Sequence, residues 1–156
     1  MRGKGLTAFA VGVALAAPTS ASAATGDRAN GGGIAFGGDI TFAFSARGTG
    51  AGTAATGRMT EVFRGPGGGV VHADVACLSV VGSQADIQGT VTQSTVPGQP
   101  VGTTLYFEVS DNGEPGAPAD QFASFFSPGD IIPPNCGTPF PDTPIEHGNI
   151  QVGSGG

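Results

Sequence analysis

The chain has 156 residues, rich in Gly (29) and Pro (12), with six basic residues against twelve acidic ones. Both Arg2 and Lys4 lie in the first 23 residues, so the remainder carries four Arg, no Lys and a net charge of −8. That balance repels phosphate backbones and anionic membrane surfaces, which excludes nucleic-acid binding, and it leaves no Lys side chain for Schiff-base chemistry.

In chain order, the basic start at Arg2 and Lys4 is followed by an apolar run over residues 6–17 and by Ala21-Ser22-Ala23. Charge, apolar stretch and small residues in that order read as a secretory signal peptide over residues 1–23, cleaved after Ala23. The run is shorter than the ~20 residues of a permanent membrane helix, so the expected product is exported and has no membrane span. The 133 residues left are the size of one domain. Residues 24–33 read as a flexible N-terminal segment, 34–152 as the domain and 153–156 as a frayed tail.

Apolar residues then recur with a period of two, the signature of strands with one face on a core. Ile40, Phe42, Phe44 and Ala46 alternate with Thr41, Ala43, Ser45 and Arg47. Val71, Ala73, Val75 and Cys77 form a second set, Ala85, Ile87, Gly89 and Val91 a third, and Leu105, Phe107 and Val109 a fourth. Weaker strand candidates are residues 33–36, 58–63, 121–126 and 149–152. Turn-forming clusters lie between them, and no stretch after the leader has a 3.6-residue apolar period. Seven or eight short strands predict an all-β fold, a single small antiparallel β-sandwich or barrel. A hairpin turning at Gly82-Ser83 places Cys77 in the middle of a central strand. Residues 126–146 carry six prolines, which bars a central strand, and read as a surface connection tied down by Cys136.

Cys77 and Cys136 are the only cysteines, and an exported chain matures where thiols oxidise, so one disulfide is expected. The loop it closes, about 60 residues, is worth roughly 4 kcal/mol in the chain-entropy model. Metal ligation or a catalytic thiol would be the alternative, but there is no CxxC and only two distant His.

The stretches Ala76-Cys77-Leu78-Ser79-Val80-Val81-Gly82 and Ala85-Asp86-Ile87-Gln88-Gly89 carry a family resemblance. So do residues 106–116 (YFEVSDNGEPG), Asp120, Cys136 and Gly148-Asn149-Ile150-Gln151-Val152. Over residues 40–152 the chain resembles a group of small secreted β-domain proteins of high-GC Gram-positive bacteria. The resemblance implies a secreted β-domain and brings no catalytic or binding residue with it.

Four constellations are candidates for chemistry. Asp111, Asn112, Glu114 and Asp120 gather oxygen ligands in one turn, as calcium favours, without the order of an EF-hand loop. The plainer reading is a solvated turn with Gly113 at positive φ. His72 and Asp74 share one strand face, with Ser79 and Ser83 nearby in sequence, but no G-x-S-x-G elbow accompanies them. Glu61, Glu108, Glu114 and Glu146 could supply an acid pair, yet the lack of Trp and the single Tyr106 disfavour a sugar-cleaving cleft. Phe122, Phe125, Phe126 and Phe140 form an aromatic cluster in which the adjacent pair points to opposite faces; one of the pair could be exposed as part of a partner-binding patch, but the favoured reading is that the proline-rich segment covers the cluster as a lid.

The expected function is therefore that of a secreted, non-catalytic extracellular or envelope-associated protein, structural or binding, with no cofactor and an extracellular ligand or envelope component as partner. A calcium-dependent binding module is the alternative, and a small secreted hydrolase built on His72 and Asp74 a weaker one.

Overall fold

The computed structural model describes residues 26–50, 53–113, 118–127, 136 and 143–155. Their nine strands are β1 (Arg28–Ala35), β2 (Ile40–Gly48), β3 (Ala55–Phe63), β4 (Gly69–Val81), β5 (Gln84–Ser94), β6 (Thr104–Ser110), β7 (Gln121–Ser127), β8 (Thr143–Pro144) and β9 (His147–Gly153). They form one sheet in the order β8-β7-β6-β5-β4-β3-β2-β1-β9, in which every pairing is antiparallel. The all-β expectation holds, and it resolves to a curled sheet, a half-barrel, in which strands β1 to β7 follow one another in sequence order.

The curl follows from the inward side chains. Phe42 of β2 stacks on Phe122 of β7 with ring centroids 3.7 Å apart, and Phe44 of β2 meets Phe107 of β6 edge-on at 6.0 Å. Four strands separate β2 from β7 in the sheet, so the contact exists only because the sheet wraps round on itself. The two ends of the sheet are consecutive in the chain, separated by Ile145 and Glu146. The Ile145 N–H donates to the Asp120 carbonyl at 2.9 Å, and the next N–H, that of Glu146, donates to the Ile34 carbonyl at 2.8 Å. Within two residues the chain passes from β7 to β1.

Alternation sets the inner surface as expected: Phe42, Phe44, Val71, Ala73, Ile87, Val91, Leu105, Phe107 and Val109 are all in the buried core. Cys77 departs from the alternation. A register shift between Val75 and Cys77 inserts one residue in β4, so that Leu78 pairs with Ile87 inside and Cys77 pairs with Gln88 on the other face. A bulge of one residue reverses the parity of everything after it. Cys77 therefore belongs to the outer face, where it bonds to Cys136 with a Cα–Cα distance of 5.5 Å. The expected disulfide is present in a central strand, and the Gly82-Ser83 turn joins β4 to β5.

Two expectations about the chain ends are corrected. Residues 28–33 are not a flexible segment but most of β1, laddered to β2 on one side and to β9 on the other. The three consecutive glycines there permit close packing: a Cβ on Gly31 would sit 2.6 Å from the Asn149 carbonyl oxygen. The tail is also held, with Gly153 in β9 and the Gly155 N–H donating to Asp27 Oδ1 at 3.0 Å. The proline-rich connection and Phe140 lie outside the described residues, apart from Cys136 and the short β8.

Candidate functional site

The inside of the curl is occupied by side chains. Phe107, Phe122, Met59, Leu78, Ile87 and Leu105 are all at or near full burial, so the described residues leave the inner surface packed rather than hollow. The opposite, outer face carries Arg58, Thr60, His72 and Asp74.

There, β3, β4 and β5 form a concavity of about 320 Å³ lined chiefly by Arg58, Thr60, His72, Asp74, Thr92 and Gln93. Antiparallel register places Thr60 opposite His72 and Arg58 opposite Asp74. The Thr60 hydroxyl and His72 Nδ1 are 3.0 Å apart, a hydrogen bond that orients the ring. The Arg58 and Asp74 side chains are 4.0 Å apart and largely exposed, so their attraction is screened and worth little to stability. A second register shift, between His72 and Ala73, leaves Thr92 as the extra residue of β5 beside them. The result is a polar depression with donors, acceptors and both signs of charge on a rigid sheet.

His72 and Asp74 thus share the expected face, but the serines do not join them. Ser79 lies seven residues further along β4, roughly 20 Å away at strand rise, and Ser83 is beyond it in the turn. The hydroxyls beside His72 are those of Thr60 and Thr92. Neither Thr60, Arg58 nor Gln93 was singled out by sequence, because a cross-strand neighbour is legible only once register is known.

The acidic turn is bound into the fold. Asp120 Oδ1 accepts from the Asn112 N–H at 2.8 Å, and its Oδ2 accepts from the buried Ile150 N–H at 2.6 Å. Asp111 Oδ1 accepts from the Gly113 N–H at 3.0 Å, and its Oδ2 accepts from the Val152 N–H at 3.1 Å. Asn112 Nδ2 donates to the Ala119 carbonyl at 2.7 Å. Glu114 lies outside the described residues. Two of the four oxygen contacts go to the far edge of β9, so these carboxylates act where a further strand would otherwise pair. Among the described residues, no group of three or more His, Cys, Asp or Glu is placed to hold a metal ion.

Three further groups stand out. Tyr106 is buried on the outer face of β6 and stacks on the half-exposed Phe125 at 4.3 Å, while Phe126 turns inward onto Phe63, as adjacent strand residues must. Asp86 faces Glu108 across β5 and β6, and Glu108 Oε1 accepts from Gln84 Nε2 at 3.2 Å. Burial, and secondarily the Glu108 charge, raises the Asp86 carboxyl to about 6. Glu61 points into the core with no exposed surface. Ser124 Oγ donates to its Oε1, its Oε2 has no partner, and desolvation lifts the carboxyl to about 7 against the lowering effect of the Ser124 bond. Glu61 has the inward parity of Met59 on the same strand, which the sequence reading of 58–63 as a weak strand candidate did not assign. Glu146 has an unrelated task, accepting from the Gly37 N–H of the β1–β2 turn at 2.5 Å.

What these features define is a disulfide-linked, curled antiparallel sheet with a packed inside and a polar outer depression. No helix among the described residues is long and apolar enough to cross a membrane. Comparison with known proteins finds no matching family model, no matching curated protein and no matching solved structure.

Proposed function

We propose that the protein is an exported, non-catalytic binding module that recognises a polar or zwitterionic group of an extracellular or envelope component on its outer face. The observation that carries this reading is the concavity of about 320 Å³ between β3, β4 and β5, at the small end of ligand-site volumes. Arg58 and Asp74 offer opposite charges to one ligand, and His72, held through Nδ1 by Thr60, offers an oriented ring nitrogen. The packed core supports recognition outside rather than inside the curl. Export is supported by the leader-like residues 1–23 and by the Cys77–Cys136 bridge.

The test is an NMR titration of the oxidised, ¹⁵N-labelled domain with soluble muropeptides, whose peptide stems are zwitterionic. Shifts should be confined to Arg58, Thr60, His72, Asp74, Thr92 and Gln93 and should vanish in Arg58→Ala/Gln93→Ala, while the spectrum of β6 and β7 stays fixed. Unchanged spectra at millimolar muropeptide, or shifts centred elsewhere, would remove the reading. Cleavage of the muropeptide would replace it with an enzymatic one.

A further inference from the structure

We propose that Glu61 is a proton-operated catch that holds β7 against the β2–β3 pair, closed when the carboxyl is neutral and loosened when it ionises. The contact between these strands is made by side chains alone. In the sheet, β7 is laddered to β6 and, through Gln121 and Phe122, to β8; it has no ladder with β2 or β3. Three inward residues of β7 bridge the gap. Phe122 stacks on Phe42, Ser124 donates to Glu61, and Phe126 packs against Phe63 at 6.0 Å. The polar rung lies between two aromatic ones.

That rung has two forms of unequal worth. The neutral carboxyl fits an apolar surrounding with one hydroxyl partner. The carboxylate would bring a charge to a site with no exposed surface, where Oε2 has no donor. Among the described residues no compensating charge faces it: the inward side chains around it, Phe42 on β2, Val71 on β4, and Phe122, Ser124 and Phe126 on β7, are uncharged. The titratable side chain of β4 nearest to it, His72, is on the outer face with Thr60. The remaining route to stabilising the charge is hydration, which requires the side-chain contact between β7 and β3 to part.

The sign follows from the two states. Closed, the carboxyl is raised from 4.5 to about 7; open to water, it has its ordinary value. The proton therefore favours the closed form, fully below pH 4.5, and this preference is lost as pH rises through 7. With those two values, the open-to-closed ratio grows roughly 75-fold between pH 5 and pH 9.

Hydrogen exchange of the oxidised domain, corrected for intrinsic rates, tests this. Amides of β7 should lose protection roughly 75-fold from pH 5 to pH 9 while those of β4 and β5 change little, and Glu61→Gln, which keeps the size and a hydrogen-bonding oxygen for Ser124, should be flat. A ¹³C-carboxyl titration of the unmutated chain gives a second readout that needs no variant. A Glu61 midpoint near 4.5, protection of β7 independent of pH, or equal loss in β4 and β5 would each overturn the proposal. So would a pH dependence retained in Glu61→Gln.

Discussion

Asp120 shows how much of this fold rests on single carboxylates. It satisfies two backbone donors from different parts of the chain, Asn112 and Ile150, and the second is buried. Charge-assisted hydrogen bonds of this kind contribute about 1.5–3 kcal/mol each, and a buried N–H left without an acceptor costs a similar amount. Asp120→Ala should therefore lower the unfolding free energy by about 3 kcal/mol and Asp120→Asn by about half that, read from urea midpoints at constant slope. The same hydrogen bonds bear on calcium. With both oxygens of Asp111 and Asp120 engaged by backbone N–H groups, thermal melts in excess calcium and in EDTA should coincide. An upward shift of several degrees in calcium would show instead that the turn has coordination to spare. From sequence, a cluster of oxygen ligands in a turn looks the same whether its partners are a metal or distant amides. The partners here, Ile150 and Val152, are 30 and 41 residues away, beyond the reach of any local pattern.

At the scale of elements, the strands with one face on the core were legible and the strand made of glycine was not. Phe42, Phe44, Ile87 and Phe107 announce themselves by alternation, because each has a large apolar side chain to place inside. In β1 the residues Gly31, Gly32 and Gly33 have none, and their composition resembles a linker. What selects them is the close approach of both neighbouring strands: a Cβ on Gly32 would sit 2.9 Å from the Phe42 carbonyl oxygen of β2, and one on Gly33 would run into the His147 carbonyl oxygen of β9 and crowd Ile145 and Phe42. Gly33→Ala should cost about 1–3 kcal/mol, the range for overpacking a tight site, and should loosen β9 before the rest of the sheet, which amide exchange at Ile150 and Val152 would reveal. A milder loss, below 1 kcal/mol, would mean that β9 can shift to make room. The bulge in β4 was hidden for a different reason. Period two counts residues, and one uncounted residue moves Cys77 to the opposite face without altering the composition of the strand. The outer depression shares that limit, since Thr60 meets His72 and Arg58 meets Asp74 only through the β3–β4 register.

For the whole molecule, the bridge between Cys77 and Cys136 ties the middle of the sheet to a point 59 residues further along the chain. Constraining the unfolded chain in this way is worth roughly 4 kcal/mol, so reduction, or the pair Cys77→Ser/Cys136→Ser, should lower the unfolding free energy by about that amount. Denaturant titration of oxidised and reduced protein measures it directly, and an effect below about 1 kcal/mol would mean that the unfolded chain is already compact there. The meeting of the two sheet ends has a consequence in time as well as in space. From β1 to β7, each strand pairs with its neighbour in sequence, so those ladders close short loops. The ladder between β1 and β9 joins Ile34 to His147, 113 residues apart (147 − 34), and must enclose nearly the whole domain. Loop-closure entropy grows with the length enclosed, so the hairpins form early and this ladder forms last. In a pulse-labelled refolding experiment, Ile150 and Val152 should acquire protection after β4 and β5. Until those last residues dock, every folding molecule carries β1 as an open edge able to accept a strand from another chain, and refolding yield should fall as protein concentration rises.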